Sequence, residues 1–384
     1  MRFSFFMQRC RLRPSSMKAG RYGHYSATAL IVLLVLLAGC SSGPTGTQAG
    51  RPEPSVPLHR TEYLTVAGAR LFLMTRGADR HAPVLLWLHG GPGGAERPLF
   101  RYYNNDLEKH FVVAYWDQRG AGRSFDPKAD PRRLTVARHL ADLDVIVDHL
   151  RRAFDRDRII LVGHSWGGML GLLYAQRHPE KVAALIAVAP LISPRESQRQ
   201  EYAFILSEAT RQRDEAALTR LREIGPPPYE TADQVLAIES LADRYGAVFH
   251  RQPNRFWVLV TGVLRGLVTP WEISRFIRAN QVSLKAMTPE LLTLDLTRSV
   301  PRIEVPVFFL LGRYDHHAGS AIAARYFKAL EAPEKRLIWF GHSAHNPPFE
   351  EPRRFDKTLE RLARTLDTGA SSPDHLLQRE IQTP

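Results

Sequence analysis

Cysteine is nearly absent from this sequence of 384 residues. The chain contains only Cys10 and Cys40, and both precede residue 61, where a regular alternation of apolar segments begins. The rest of the chain therefore has no disulfide, no thiol nucleophile and no cysteine-based metal site. A hydrophobic content of 44% is nevertheless enough for a sizeable core, so we expect an ordinary globular body.

The sequence also lacks a dense block of lysine or arginine, although its formal charge is +13. Six of the basic residues lie within residues 1–39, which contain no acid, and the others are scattered. Scattered arginines are typical of a solvated surface, so we do not expect nucleic acid as a partner.

A short apolar run near the N-terminus indicates export. Ala27–Ala38 is too short to span a bilayer comfortably, and Lys18 and Arg21 precede it. The run ends Leu37-Ala38-Gly39-Cys40, which resembles the lipobox of bacterial lipoproteins, a class in which the cysteine is diacylated. We therefore expect lipidation at Cys40, with an ordinary signal peptide or a short membrane anchor as the alternative.

The predicted lipoprotein signal peptide covers residues 1–39, and Met17 is its expected true start because it gives a more compact signal. Ser41 follows the cysteine, which by the sorting rule of this class favours the outer membrane of a bacterial envelope, facing the periplasm. Residues 40–58 are rich in Ser, Gly, Pro and Thr, so they are predicted to be a flexible tether.

Apolar strand-like runs alternate with helical patterns from about residue 61. This alternation predicts an α/β fold with a mostly parallel sheet and helices on both faces, in two core parts, 59–191 and 301–366. Residues 192–300 break the alternation and read as an inserted helical cap, and residues 367–384 read as a disordered tail. The runs predicted as strands are 62–66, 70–75, 84–88, 111–116, 158–162, 182–189, 305–311 and 336–340.

The run Gly163-His164-Ser165-Trp166-Gly167 lies between a predicted strand and a predicted helix. In that context a Gly-x-Ser-x-Gly sequence places its serine on a sharp turn with the hydroxyl exposed above the sheet. Glycines flank the serine because the turn brings backbones too close for side chains. The pattern predicts Ser165 as the nucleophile of a serine hydrolase.

A serine nucleophile needs a histidine base and a carboxylate that orients the histidine. Asp315 and His345 follow Ser165 in the order Ser, Asp, His, and each comes directly after a predicted strand. We therefore predict these three residues as a catalytic triad. Asp295 and His342 are the competing residues for the acid and the base.

The tetrahedral intermediate of acyl transfer also needs hydrogen-bond donors for its oxyanion. We predict the backbone N–H groups of Trp166 and of Gly91, with Gly90 as the alternative to Gly91. A metal site built from His316, His317 and His345 is disfavoured, so no metal is expected.

Three motifs together resemble the prolyl aminopeptidase (proline iminopeptidase) group of α/β-hydrolases. They are His89-Gly90-Gly91-Pro92-Gly93, the run Asp117–Ser124, and Gly163–Gly168, and the resemblance covers roughly residues 60–190 and 300–360. It implies an α/β-hydrolase fold with a lid domain, no cofactor, and release of an N-terminal residue, often proline, from peptides.

Acidic residues of the cap hold the free amino group of the substrate in that family, partly through a Trp-Glu sequence. Trp271-Glu272 is the nearest counterpart here, so the resemblance implies Glu272 as an amine anchor. The alternative is a pair that starts a helix, where an acid is favourable.

Two other functions remain open at this point. One is an esterase, lactonase or other amidase with the same triad and an apolar cap pocket without an amine anchor. The other is a non-catalytic envelope-binding lipoprotein on the same fold, against which the intact Ser165, Asp315 and His345 argue. A small peptide or ester is thus the expected substrate, and the sequence leaves the oligomeric state unknown.

Overall fold

The computed structural model describes residues 57–250 and 262–368, and the fold is given for these residues. The predicted signal peptide, Cys40 and nearly all of the predicted tether lie outside the described residues.

The strands of the described chain form one sheet of eight strands. They are β1 (Leu58–Val66), β2 (Ala69–Gly77), β3 (Val84–Leu88), β4 (Val112–Asp117), β5 (Ile159–His164), β6 (Val182–Val188), β7 (Val307–Gly312) and β8 (Lys335–Phe340). Their order across the sheet is β1-β2-β4-β3-β5-β6-β7-β8. The β1–β2 and β2–β4 pairs are antiparallel, and all other neighbours are parallel.

The helices of the described residues lie between these strands or, for the last two, after β8. They are α1 (Arg97–Tyr103), α2 (Val136–Phe154), α3 (Trp166–Arg177), α4 (Pro194–Gln212), α5 (Glu215–Ile224), α6 (Ala232–Arg244), α7 (Pro270–Leu291), α8 (Leu296–Ser299), α9 (Ser320–Ala329), α10 (Pro347–Glu350) and α11 (Pro352–Thr368). Short 3₁₀ turns connect some of them. None of the helices in this part of the chain is both long and apolar enough to cross a bilayer.

Both faces of the central strands are buried, and β5 shows why. Ile159 and Leu161 point into the apolar cluster that includes residues of α2 and α3. Ile160 and Val162 point to the opposite face and pack in the cluster that includes residues of α11. Side chains alternate across a strand, so a strand covered on both sides must be apolar at every position. The predicted fold class is thus confirmed.

Helix α2 illustrates how a helix is fixed on the sheet. Thr135 caps its first turn by accepting the backbone N–H of Arg138 at 3.1 Å, and Asp155 ends it in the left-handed conformation with φ +52°. The face that carries Leu143 and Val147 is buried against the sheet. Four residues separate these two positions, so they lie on one side of the helix.

The helices α4 to α8 are inserted between β6 and β7 and are called the cap below. Helix α7 docks the cap on the core through hydrogen bonds to two motif loops. Asn280 Nδ2 donates to the carbonyl of Pro92 at 2.9 Å, and Ser283 Oγ donates to the carbonyl of Gly120 at 3.1 Å. The predicted domain bounds stay predictions.

Most strand boundaries differ from the sequence-based expectation by one or two residues, and two differences at the ends of the described chain have a visible cause. Strand β1 begins at Leu58 rather than at residue 62, because its first residues pair with the end of β2 at Gly77. Helix α11 continues to Thr368, two residues into the predicted disordered tail, because Leu366 still packs against the core cluster. Residues beyond 368 lie outside the described residues.

Candidate active site

The turn between β5 and α3 holds Ser165 in a strained conformation. Its φ is +54° and its ψ is −116°, values that residues other than glycine rarely adopt. A side chain at Gly163 would collide with the carbonyl of Gly167, and one at Gly167 would collide with the carbonyl of Leu88. Both flanking glycines are therefore required for the close approach of backbones at this turn.

Trp166 opens α3 and links three of the motifs seen in the sequence. Its indole Nε1 donates to Gln118 Oε1 at 2.9 Å, and Gln118 Nε2 donates to the carbonyl of His89 at 2.9 Å. The backbone N–H of Trp166 lies in the first helical turn, where N–H groups have no acceptor within the helix. This donor therefore remains available for an oxyanion beside Ser165.

The glycine-rich loop after β3 approaches the serine closely. A Cβ atom added at Gly90 would lie 3.4 Å from the Cβ of Ser165. Gly91 has φ +118°, and a side chain there would collide with the backbone of Gly93 and Gly94. Gly90 and Gly91 both line the cavity that Ser165 lines, so both stay compatible with the predicted oxyanion hole.

The structure brings Asp315 and His345 together. His345 Nδ1 lies 3.1 Å from Asp315 Oδ2, and both side chains are buried. Oδ1 of the same carboxylate accepts the backbone N–H groups of His317 at 2.9 Å and of Ala318 at 3.0 Å. These bonds fix the carboxylate so that it orients the imidazole towards the cavity shared with Ser165.

The pKa shifts of this pair suit a base and its orienting acid. Burial alone would raise the pKa of Asp315, but the charge and hydrogen bond of His345 outweigh it and the pKa is lowered. Burial lowers the pKa of His345, and the charge of Asp315 only partly offsets this. At neutral pH the imidazole is therefore neutral and can accept a proton, while the carboxylate stays ionised.

The loop that carries His345 is held on both sides. The backbone N–H of His345 donates to the carbonyl of Val248 in the cap at 3.1 Å. Glu350 Oε1 accepts the backbone N–H groups of Ala344 and Asn346 at 2.9 and 3.1 Å. A side chain at Gly312, at the end of β7, would collide with the carbonyl of Ala344, so that glycine lets the loop cross the strand.

The two competing residues lie elsewhere. The side chain of His342 is exposed, and its backbone N–H donates to Glu351 Oε2 at 2.9 Å. Asp295 caps α8, where its Oδ1 accepts the backbone N–H of Thr297 at 3.1 Å. Neither residue is among the described residues that line the cavity at Ser165.

Glu272 is not placed as the resemblance implied. It sits in the first turn of α7, and its Oε2 accepts the backbone N–H of Thr269 at 3.0 Å in a capping box. Its Oε1 lies 3.4 Å from Arg123 Nη2, and the neighbouring Trp271 is 82% exposed. Ile273 and Phe276 of α7 line the cavity but Glu272 is not among the residues that do, so the geometry favours the helix-start alternative for Glu272.

Two other cap acids, which sequence reasoning missed, do reach the site. Glu239 on α6 lines the cavity at Ser165, and Glu201 on α4 lines an adjoining part of it. Glu201 is 5% exposed, and its Oε1 lies 2.7 Å from His317 Nδ1. No sequence motif marks these two acids.

The pair of Glu201 and His317 is charged at neutral pH. Burial alone would lower the pKa of His317, but the charge and hydrogen bond of Glu201 outweigh it and raise the pKa to about 9. Burial raises the pKa of Glu201, and the charge of His317 partly offsets this. The imidazolium therefore stands beside the catalytic cavity with a carboxylate partner.

The cavity itself has a volume of about 370 Å³ and a mostly apolar wall. Among residues 57–250 and 262–368, no cluster of three or more histidine, cysteine or acidic side chains is arranged to hold a metal ion. The apolar wall includes Val235, Val248, Phe249, Ile273, Phe276 and Phe349.

The alpha/beta hydrolase fold family profile matches residues 83–352, which is most of the chain. The chain therefore belongs to the alpha/beta hydrolase fold family, and the protein is a hydrolase. It is 32% identical over 304 residues to the "Probable aminopeptidase YbaC" of Bacillus subtilis (strain 168), a match that covers 78% of this chain and 95% of the relative.

Further relatives agree with the resemblance found in the motifs. The chain is 27% identical over 301 residues to a proline iminopeptidase of Saccharolobus solfataricus, covering 76% of this chain and 86% of the relative. The crystal structure of a proline iminopeptidase from Mycobacterium smegmatis superposes with a TM-score of 0.61 at 20% identity, covering 81% of this chain and 100% of that chain. At that identity the structural likeness concerns the fold alone.

Proposed function

We propose that this hydrolase is a serine aminopeptidase that releases an N-terminal residue, of the proline type, from peptides. The observation that carries the proposal is the carboxylate of Glu239 in the wall of a mostly apolar cavity that also contains Ser165; Glu96, the other acid of that wall, contacts His164. Aminopeptidases and proline iminopeptidases among the relatives support the same substrate class.

In the proposed reaction, Oγ of Ser165 attacks the carbonyl carbon of the first residue, and His345 takes the hydroxyl proton. The N–H groups of Trp166 and Gly91 stabilise the oxyanion. His345 then gives the proton to the leaving amine, the C–N bond breaks, and an acyl-enzyme remains. Water, deprotonated by His345, attacks the ester, which releases the carboxylic acid and restores the serine.

The cap acids account for the choice of a free amine. A protonated α-amino group is costly to bury in an apolar cavity unless a carboxylate pairs with it. Glu239 lines the cavity at Ser165 itself and is the proposed principal anchor, while Glu201, which contacts His317, lies nearby. An N-blocked substrate would bring no positive charge to Glu239 and would lose that attraction.

An esterase, lactonase or other amidase is the second candidate. The observation in its favour is the largely apolar cavity wall, which would accept an uncharged acyl group as readily as a proline ring. The two candidates share the proposed triad and differ only in whether a free amine is required.

The experiment that separates them uses the full chain in detergent with three substrates. These are proline naphthylamide, its N-acetylated form and a p-nitrophenyl ester. The proposal expects cleavage of the free-amine amide and very slow cleavage of the blocked amide. Equal cleavage of both amides would refute the requirement for an amine and leave the second candidate.

We also propose that the protein is lipid-anchored through Cys40 in a bacterial envelope, at the periplasmic face of the outer membrane. The run that ends at Cys40 supports this. Metabolic labelling with palmitate tests it: the label should be lost in Cys40→Ala and kept in the control Ser42→Ala. Fractionation of the membranes tests the location, and a wild-type protein without label would contradict the proposal.

A further inference from the structure

His164 precedes the nucleophile directly, and both nitrogens of its ring contact acceptors. Nδ1 lies 2.7 Å from Glu96 Oε1, and Nε2 lies 2.8 Å from the backbone carbonyl of His345. The side chain of His164 is only 3% exposed, so water does not replace either contact.

The chemistry of the two partners determines the charge of this ring. A carbonyl oxygen can only accept, so Nε2 must carry a proton, and a carboxylate next to Nδ1 holds the second proton there. Burial alone would lower the pKa of His164, but the charge and hydrogen bond of Glu96 outweigh it and the pKa is raised. The side chains thus form an imidazolium–carboxylate pair with charge-assisted hydrogen bonds.

Buried His89, whose two ring nitrogens contact backbone groups, behaves differently. Its Nε2 accepts the backbone N–H of Gln118 at 3.0 Å, and its Nδ1 lies 2.8 Å from the carbonyl of Gly90. Burial lowers the pKa of this histidine, so it remains neutral. The charged state of His164 is therefore a consequence of its direct contact with Glu96.

The pair connects the loops that surround the nucleophile. Glu96 lies just beyond the glycine-rich loop, and a Cβ atom added at Gly90 would come within 2.9 Å of its Oε1 and 3.4 Å of the Cβ of Ser165. At the other end of the pair, His164 contacts the backbone carbonyl of His345. The ring centroids of these two histidines lie 4.9 Å apart. One ion pair thus spans from the predicted oxyanion loop to the predicted base.

We propose that Glu96 and His164 are positioning residues that hold the main chain of His345 and the glycine-rich loop in register with Ser165. The proposal rests on the serine mechanism proposed above, but not on the choice of an amine substrate. When His164 loses its proton, its neutral ring can no longer donate to both partners, and the base is held less firmly.

The test compares Glu96→Gln with the matched control Glu62→Gln in the full chain. Glu62 also pairs with a histidine, with Oε1 3.1 Å from His149 Nε2, and the two glutamate side chains are 18% and 15% exposed. The readouts are the rate constant for inactivation by a fluorophosphonate and the kcat and KM for a p-nitrophenyl ester. Neither probe needs an amine anchor.

Loss of a charge-assisted hydrogen bond should lower kcat and the inactivation rate constant of Glu96→Gln by about 10- to 100-fold, with KM little changed. Glu62→Gln should behave as wild type. Glu96→Asp, which keeps the charge, should recover part of the rate, and it also serves if Glu96→Gln does not fold.

The dependence of kcat on pH provides a readout that a merely structural role would not move. Asp315, His345 and His89 also act on His164 electrostatically, but their pKa values are lowered and they titrate on the acid side. The alkaline limb should therefore shift to lower pH in Glu96→Gln, because His164 loses its proton more easily.

The titrations of two nearby groups must be distinguished from that of His164 in the pH profile. The pKa of Glu350, which holds the base loop, is raised by burial only to about 7, and the pKa of His317 is raised to about 9. Glu201→Gln, measured in parallel, moves the titration of His317 and leaves that of His164 in place.

Rates and an alkaline limb in Glu96→Gln identical to those of Glu62→Gln would overturn the proposal, as would a change confined to KM. If the fluorophosphonate reacts but proline naphthylamide is not cleaved, the aminopeptidase proposal fails. The positioning role is then still decided by the comparison of Glu96→Gln with Glu62→Gln. If wild-type Ser165 does not react at all, the positioning role fails with the serine mechanism.

Discussion

The core sheet and the cap present the active site in different ways. In the core, backbone contacts dictate the residue type: Gly163 and Gly167 flank Ser165 because any side chain there would collide with a carbonyl. In the cap, Trp271-Glu272 matches a family motif in sequence but starts a helix and does not line the cavity. A sequence motif predicts a site reliably where steric contacts within the fold require its residues. It predicts a site less reliably where only substrate binding would require them.

We therefore propose that the core carries out the reaction and that the cap selects the substrate. Changes in the core should then abolish turnover of every substrate, whereas changes in the cap should alter turnover of one substrate class.

The largest effect is expected for Ser165→Ala. Removal of the nucleophile should lower kcat by about 10⁴- to 10⁶-fold for amide and ester alike. Ser193→Ala is the matched control, because Ser193 lies at the start of the cap and both serines are 8% exposed. Steady-state kinetics check this, and comparable losses of kcat in both variants would contradict the role of Ser165 as the nucleophile.

Asp315→Asn should have the next largest effect. An amide cannot hold the imidazole of His345 in the correct tautomer, so kcat should fall by about 10⁴-fold. Asp295→Asn removes the competing acid and should lower stability slightly without changing kcat. If the two variants exchanged these outcomes, the assignment of the acid would be wrong.

The acid limb of kcat/KM should lie below the ordinary histidine pKa. Burial lowers the pKa of His345, and the base works only when its ring is neutral. Activity should therefore persist below pH of about 6.5 and then fall about tenfold per pH unit. A pH profile of wild type with the ester checks this, and an acid limb above that value would contradict the lowered pKa.

The smallest effect is expected on stability, in Glu201→Gln. The pKa of His317 is raised by Glu201 to about 9, so the pair stabilises the folded chain fully below the unfolded pKa of about 6.5. That contribution is lost as pH rises through about 9. The melting temperature should therefore fall by a few degrees at about pH 6 and differ little from wild type at about pH 10.

Much of the core could be predicted from the sequence, because its signals are local. The strands β3 to β7 read as nearly continuous apolar runs, and the serine turn lies within five residues, Gly163–Gly167. Glu96 and His164, in contrast, are 68 residues apart, and Glu201 and His317 are 116 residues apart. Only the folded sheet brings such pairs together, so no local pattern marks them.

The cap was harder to predict for a related reason. Helical periodicity predicts which face of α7 is buried, but not which part of the core that face meets. Glu272 was therefore implied as an anchor by its neighbours in sequence, while Glu239, on another helix, lines the cavity.

The most direct test of the division between core and cap is the ratio of kcat/KM for proline naphthylamide to that for the p-nitrophenyl ester, in Glu239→Gln and in Glu272→Gln. Loss of a charged hydrogen bond should lower this ratio about 10- to 100-fold in Glu239→Gln and leave it unchanged in Glu272→Gln. An unchanged ratio in Glu239→Gln, or an equal fall in both variants, would contradict the proposal that Glu239 holds the substrate amine.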